Sequence, residues 1–294
     1  MQNEEMTQKT NMITALKLKC PAKINLFLKV TNKRDDGFHE LESLLAFIDL
    51  EDELEVSHSD QLKIDISGEF SALIDVKDNL FTKILDYFVA EFDISGNLHI
   101  KVTKNIPVGG GLGGGSSDAA SFMMALNQLF ELGLSKPELQ KISLKFGSDI
   151  AFLFENSAAI IQGRGDIITP FPKFEPLTAL LVNPNIFIST ADIFSKFNAD
   201  FSEKIEISDL LKRDILDLTK NLKNDLELPA SLVAPEISNI LGELNNCGSS
   251  ISKMSGSGST CFGIFDNEDR LESAKKLFTE KYPHFFIKKV NIIS

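Results

Sequence analysis

The chain has 294 residues, is 43% hydrophobic and 24% charged, and carries a formal net charge of −12. That length holds one large domain or two ordinary ones around a cleft, and the apolar content suffices for a packed core, which excludes a disordered chain. The acidic balance excludes the basic face that nucleic acid requires and disfavours an anionic membrane surface. Any phosphorylated ligand must then be held by backbone N–H groups, a helix N-terminus, a few cations or a metal that the ligand brings.

In chain order, residues 1–12 are polar and slightly acidic, a loose tail without the apolar run of a signal peptide. No apolar run approaches the roughly 20 residues of a membrane span. Cys20, Cys247 and Cys261 are far apart and lack C-x-x-C spacing, so a cytoplasmic protein without a disulfide framework or a protein-bound metal is expected. "KINLFLKV" alternates, with Lys23, Asn25, Phe27 and Lys29 on one side and Ile24, Leu26, Leu28 and Val30 on the other, as a strand does. A turn at "RDDG" precedes Phe38 and His39. "LLAFIDL", "ELEV", "LKIDI" and "LHIKV" read as further strands, and residues 79–92 as a helix.

"GGGLGGG" then puts six of the 18 glycines into seven positions, 109–115. Behind it Ala119, Phe122, Met123, Leu126, Leu129 and Phe130 recur at helical spacing up to Gly133. Glycines at a helix N-terminus let backbone N–H groups approach a phosphate with no Cβ in the way. The run also satisfies G-x-G-x-x-G at Gly109, Gly111 and Gly114, but several strands and a helix come first, unlike a Rossmann unit. The G-x-x-x-x-G-K-[ST] of a P-loop is absent.

"SKPE" at 135–138 is a capping box opening a helix to about Phe146. Asp149 in "GSDIAF" is either the cap of a short helix or a carboxylate poised to accept a proton. Lys23 and Asn25 share a strand face, either exposed or converging on a ligand. "GRGD" is a tight turn between two strands, and proline-rich "TPFPKFEP", 169–176, marks a boundary between domains 1–170 and 171–294. Beyond it "TALLVN" is a strand, residues 190–198, about 207–224, 232–246 and 268–281 are helical, and "SSISKMS", "STCFGIF" and "FFIKKVNII" are strands. Phe194 sits with Ile193 and Phe197 on one helix face, a packing pattern. "KMSGSGST", 253–260, is a second glycine-serine turn, a hairpin or a lining of the phosphate site.

"PAKINLFL", "DGFHELESL", "IPVGGGLGGGSSDAA", "GSDIAFLF" and "MSGSGST" occur in the order found in the GHMP kinases, and the chain resembles that family from about residue 18 onward. The doubled glycine triplet and D-G-F-H-E-L resemble the branch acting on a cytidine-diphosphate-linked methylerythritol. The resemblance implies an α+β (mixed α/β), two-domain architecture with the active site in the interdomain cleft, the ATP-binding side N-terminal and the substrate side C-terminal. It implies an ATP-dependent small-molecule kinase of isoprenoid biosynthesis, with Mg2+ accompanying ATP, acting as a monomer or weak homodimer on 4-diphosphocytidyl-2-C-methyl-D-erythritol.

By resemblance, Asp149 is the general base and Lys23 the active-site lysine. Pro107, Val108, Gly109, Gly110, Gly111, Leu112, Gly113, Gly114, Gly115, Ser116 and Ser117 wrap the ATP phosphates, with Asn79 and Lys104 on the adenine side. Asn25 and Thr190 hold the acceptor, His39 reads the cytosine, and Phe38 and Phe194 stack on it. Phe38 departs from the tyrosine common at its position, which keeps a stacking face and removes a hydroxyl. Asp118 stands where asparagine is also common. Another GHMP kinase, or a dinucleotide-binding oxidoreductase, is the alternative.

Overall fold

The computed structural model describes residues 15–74, 79–198 and 200–294; the tail expected at 1–12 lies outside them. Two long strands, β1 (Ala15–Lys33) and β2 (His39–His58), pair antiparallel over their whole length around the turn at Gly37. β3 (Lys63–Ser67), α1 (Leu80–Phe92), β4 (Leu98–Thr103), α2 (Gly114–Leu129) and α3 (Lys136–Ser143) follow. A 3-10 segment (Ser148–Phe154) leads to β5 (Ala159–Gly163), β6 (Ile167–Pro170) and β7 (Leu177–Asn183). The remainder is α4 (Thr190–Lys196), α5 (Ile207–Leu210), α6 (Ile215–Asn221), α7 (Glu227–Val233), α8 (Glu236–Asn246), β8 (Ile251–Met254), β9 (Cys261–Ile264), α9 (Glu268–Lys281) and β10 (Phe286–Ile293). Among the described residues no helix is long and apolar enough to cross a membrane.

The expected elements form, with differences at helix ends that local chemistry explains. Glu138 closes the capping box on Ser135, accepting its backbone N–H at 2.8 Å. α2 stops at Leu129, because Glu131 adopts φ 50° before Gly133 is reached. The single helix expected at 207–224 is two. The Asp214 side chain accepts the N–H groups of Leu216 and Asp217, which starts α6 afresh. The helix expected at 232–246 is broken before Pro235, whose ring bars the preceding residue from helical geometry, so α7 ends and α8 begins there.

The ten strands of the described residues lie in one sheet, and β2 is its spine. One edge of β2 carries β1. The other carries β5 at Leu41–Leu45, β10 at Phe47 and Ile48, and β4 at Glu53–His58. From β10 the sheet runs on through β7 and β9 to β8. The C-terminal strands are thus hydrogen-bonded into the middle of an N-terminal one.

Layers of helices cover this sheet. One core joins α1, α2 and the 3-10 segment to the β1–β2–β4 end, where Phe122 of α2 meets Phe81 of α1 edge-on at 5.3 Å between centroids. Two further cores lie under α5 and α6 and under α7, α8 and α9. β1 is buried on both faces, so Lys23 is 3% exposed, where sequence alternation alone reads as a solvent-facing lysine.

Phe122 fixes the helix that carries the glycine loop. Truncating it leaves a cavity that neighbouring rings cannot close, and Phe122→Ala should cost about 3–5 kcal/mol in urea denaturation.

Candidate active site

The glycine loop, residues 106–113, enters α2 through a repeating twist. Gly109, Gly111 and Gly113 have φ values of 67°, 77° and 71°, while Gly110 and Leu112 between them do not take positive φ. Alternation of this kind turns successive N–H groups to one side, a concavity suited to an anion. The carbonyls are held from behind. Gly110 O accepts from Thr260 N–H at 3.1 Å, Gly111 O from Ser255 Oγ at 2.9 Å, Leu112 O from Lys23 N–H at 2.9 Å and Gly113 O from Ser117 N–H at 2.8 Å. Among the described residues, none of the amides of residues 109–113 donates a hydrogen bond within the chain. The N-terminus of α2 adds its positive end to the same place.

Three of those four braces come from outside α2, two of them from the glycine-serine turn at 255–260. That turn is the β8–β9 hairpin connection and also the back wall of the loop. Ser255 Oγ accepts the N–H of Asn25 at 3.2 Å while donating to Gly111 O, and so joins β1 to the loop. Phe187, 72% exposed, lies against Gly109.

Lys23 is the hub beside the loop. Its stem packs on bare Gly113, where a Cβ would stand 2.9 Å from Lys23 Cγ. Its ammonium donates to Asn25 Oδ1 at 2.8 Å and sits 3.3 Å from Asp149 Oδ2. Asn25 Nδ2 in turn donates to Ser43 Oγ at 2.8 Å. Asp149 lies in the first turn of the 3-10 segment, where Gly147 holds the cap position without a side-chain bond. It is therefore not a cap. Its side chain is 54% exposed and opens to the cleft.

This cleft, about 770 Å³, brings together Lys23, Asn25, Asn79, Lys104, Pro107–Gly111, Gly113–Ser116, Asp149, Thr190 and Phe194. Leu112 and Ser117 are buried behind it. Asn79 caps α1 with its side-chain oxygen, 3.1 Å from Thr82 N. Lys104 is 2% exposed, its ammonium bound to Asp52 and Asp118. Thr190 Oγ1 is 2.9 Å from Ser257 Oγ.

The aromatic residues stand otherwise than the sequence suggests. Phe194 stacks on His39 at 5.0 Å, and Phe197 meets His39 edge-on. Burial, helped by Lys33, holds His39 below its ordinary pKa, so its ring is neutral at pH 7 and can both donate and accept. Phe38 is 50% exposed and lies under Arg164, whose guanidinium carbon is 3.8 Å from the ring centroid. Arg164 lines the cleft with a buried Nε that has no partner among the described residues. It comes from "GRGD", read from sequence as a turn only. No spacing marks it; the tertiary pairing with Phe38 does. Ser43 was equally invisible, being ordinary in its own segment, whereas Ser255 belongs to the glycine-serine turn that the sequence left as a hairpin or a lining of the phosphate site.

Two family profiles match the chain: GHMP kinases N terminal domain over residues 79–158 and GHMP kinases C terminal over residues 207–284. Among curated relatives, the 4-diphosphocytidyl-2-C-methyl-D-erythritol kinase of Thermoanaerobacter pseudethanolicus is 36% identical over 279 residues, 93% of this chain and 96% of that protein. The kinase of the same name from Wolbachia sp. subsp. Drosophila simulans is 35% identical over 278 residues, 92% and 96% of the two. A crystal structure of 4-(cytidine 5'-diphospho)-2C-methyl-D-erythritol kinase superimposes with a TM-score of 0.75 at 27% identity, covering 94% of this chain and 99% of that one. Homoserine kinase from Cytophaga hutchinsonii shares the fold, with a TM-score of 0.70 at 17% identity over 96% of each chain.

The glycines differ in what a methyl group would meet. At Gly111 a Cβ would overlap Ser255 O on a left-handed backbone, whereas at Gly115 nothing lies within 4 Å. Gly111→Ala should lower the melting temperature, its φ alone costing roughly 1–2 kcal/mol, and Gly115→Ala should not.

Proposed function

This chain belongs to the 4-diphosphocytidyl-2-C-methyl-D-erythritol kinases of the GHMP kinase family, and on that footing we propose how its cleft performs the transfer. The protein is a small-molecule kinase with ATP as co-substrate. It phosphorylates the 2-hydroxyl of 4-diphosphocytidyl-2-C-methyl-D-erythritol in the non-mevalonate isoprenoid pathway.

The observation that carries the mechanism is the Lys23–Asp149 pair, 3.3 Å apart, braced against the glycine loop. Asp149, open to the cleft, accepts the proton of the acceptor hydroxyl as that oxygen attacks the γ-phosphorus in line. Lys23 holds the carboxylate in place through the ion pair and offers positive charge to the transferring group. The unpartnered amides of 109–113 and the start of α2 take the polyphosphate, replacing the cations that an acidic chain lacks. Mg2+ arrives on ATP. Among the described residues no cluster of three His, Cys, Asp or Glu is placed to hold a metal unaided.

We assign Asn79 and Lys104 to the adenine end, Lys104 from beneath. Asn25 and Thr190 fall to the acceptor, and Phe38, His39 and Phe194 to the cytosine. Arg164 joins them, its guanidinium stacked on Phe38 with Nε to spare where tyrosine would have offered a hydroxyl. The segment 1–170 then carries mainly the nucleotide and 171–294 the acceptor side. We take the enzyme to work in the cytoplasm as a monomer or weak homodimer without nucleic acid, in keeping with its charge of −12.

ADP release should respond to 4-diphosphocytidyl-2-C-methyl-D-erythritol and not to mevalonate, homoserine or galactose; equal turnover of any of these overturns the reading. Asp149→Asn should keep both substrates bound and the fold intact, yet lose about 10²–10⁴-fold in single-turnover rate. A fully active variant would remove Asp149 from the chemistry. Gly115→Ala should weaken ATP affinity in calorimetry although its stability is unchanged, because its open face is where the phosphates approach.

A further inference from the structure

Under the glycine loop lies a cluster whose two carboxylates the proposed transfer leaves without a role. Lys104, just past β4, donates to two buried carboxylates, Asp52 of β2 and Asp118 of α2. Asp52 uses its other oxygen on the N–H groups of Asn105 and Ile106, the residues that lead into the loop. Asp118, one turn inside α2 and 4% exposed, has an Oδ1 that is buried and lacks any partner among the described residues. Both Lys104 and Asp118 line the cleft.

One ammonium between two carboxylates leaves one negative charge uncompensated out of water, next to the place where a polyphosphate settles. Cys20 of β1 turns toward Asp118 a thiol that burial keeps neutral, which favours the carboxylate without supplying a charge. Lys23 of β1 and Lys83 of α1 are the other cations of the same cleft wall. Burial, opposed by Lys104 and reinforced by Asp52, pushes the Asp118 carboxyl up to about 7.

We propose that nucleotide binding is proton-coupled through Asp118: as the polyphosphate docks on the loop, Asp118 takes a proton from solvent at its unpartnered Oδ1, Oδ2 stays on Lys104, and the buried cluster becomes neutral. This rests on the reading that ATP phosphates lie on the glycine loop. The sign follows from linkage. A bound polyanion raises the carboxyl's midpoint above its free value near 7. Affinity is then full below that free value and falls as pH rises, by at most about tenfold per unit, until the bound midpoint is passed.

The test is calorimetry with β,γ-imido-ATP and Mg2+ at pH 7, in buffers of different ionisation enthalpy. The parent should take up as much as about half a proton more than Asp118→Asn, since the nucleotide's own titration is common to both and cancels. Asparagine suits the variant because it can keep an oxygen on Lys104 and place an uncharged amide at the free position. Equal proton uptake by the two proteins overturns the proposal. Should the variant not fold, carbon-13 NMR of the labelled carboxyls in the parent decides. A carboxyl titrating near neutrality and moving up with nucleotide supports the coupling, and one ionised throughout at pH 7 overturns it. An analogue affinity untouched by Gly115→Ala places the phosphates elsewhere, which is the separate failure of the loop reading and removes the proposal with it.

Discussion

A peptide amide can face a ligand only if its own chain does not claim it, and the glycine loop depends on that condition. A free loop of six glycines would satisfy itself in many ways, and ordering it would cost backbone entropy at every residue. Here the ordering is done by the carbonyls. Each one from Gly110 to Gly113 accepts a bond, two of them from the 255–260 turn, one from β1 and one from α2. With the carbonyls committed, the N–H groups have one direction left. On the proposed reading the anion site is in place before the anion arrives, which lowers the ordering cost of binding. The rest of the architecture, β8–β9 included, stands in positions that supply those donors.

The same economy governs Lys23. A lysine 3% exposed needs its protons matched, and they are matched by Asn25 and Asp149. Its backbone N–H braces the loop, its stem fills the space that Gly113 leaves, and its ammonium orders the carboxylate. Displacing it would disturb the loop and the carboxylate together, so a loss of activity in a Lys23 variant would not by itself separate charge from position. The stack of Phe194 on His39 fixes the far end of the cleft in the same manner, by contacts between elements distant in sequence.

Much of this was legible in the chain itself. The strand at Lys23, the glycine-rich entry to α2 and the capping box at Ser135 are local, and each announces itself by period or composition. What was hidden is what depends on the partner surface. Alternation in "KINLFLKV" reads as one wet face, but helices cover β1 on both sides. Asp149 reads as a cap because caps are common, and only the fold shows Gly147 in that place. Lys104 is given to the adenine side by resemblance alone, and nothing in its own segment foretells that β2 and α2 bring it a carboxylate each. Arg164 sits in a turn that is complete without it and gains meaning only from Phe38, more than a hundred residues earlier.

The pairing of β10 with Phe47 and Ile48 of β2 has a bearing on how the protein is made. Of the described elements β10 is the last to leave the ribosome. Until it does, the middle of β2 between its contacts with β5 and β4 is an open edge, and a nascent chain with such an edge can recruit a neighbour. Asp49, on that stretch, holds Asn291 through both backbone and side chain at 2.7 Å. A carboxylate on an otherwise apolar run is a poor match for a stray strand and a good one for the asparagine that arrives last. Asp49 thus puts a charge on that edge and, through Asn291, fastens β10 to β2.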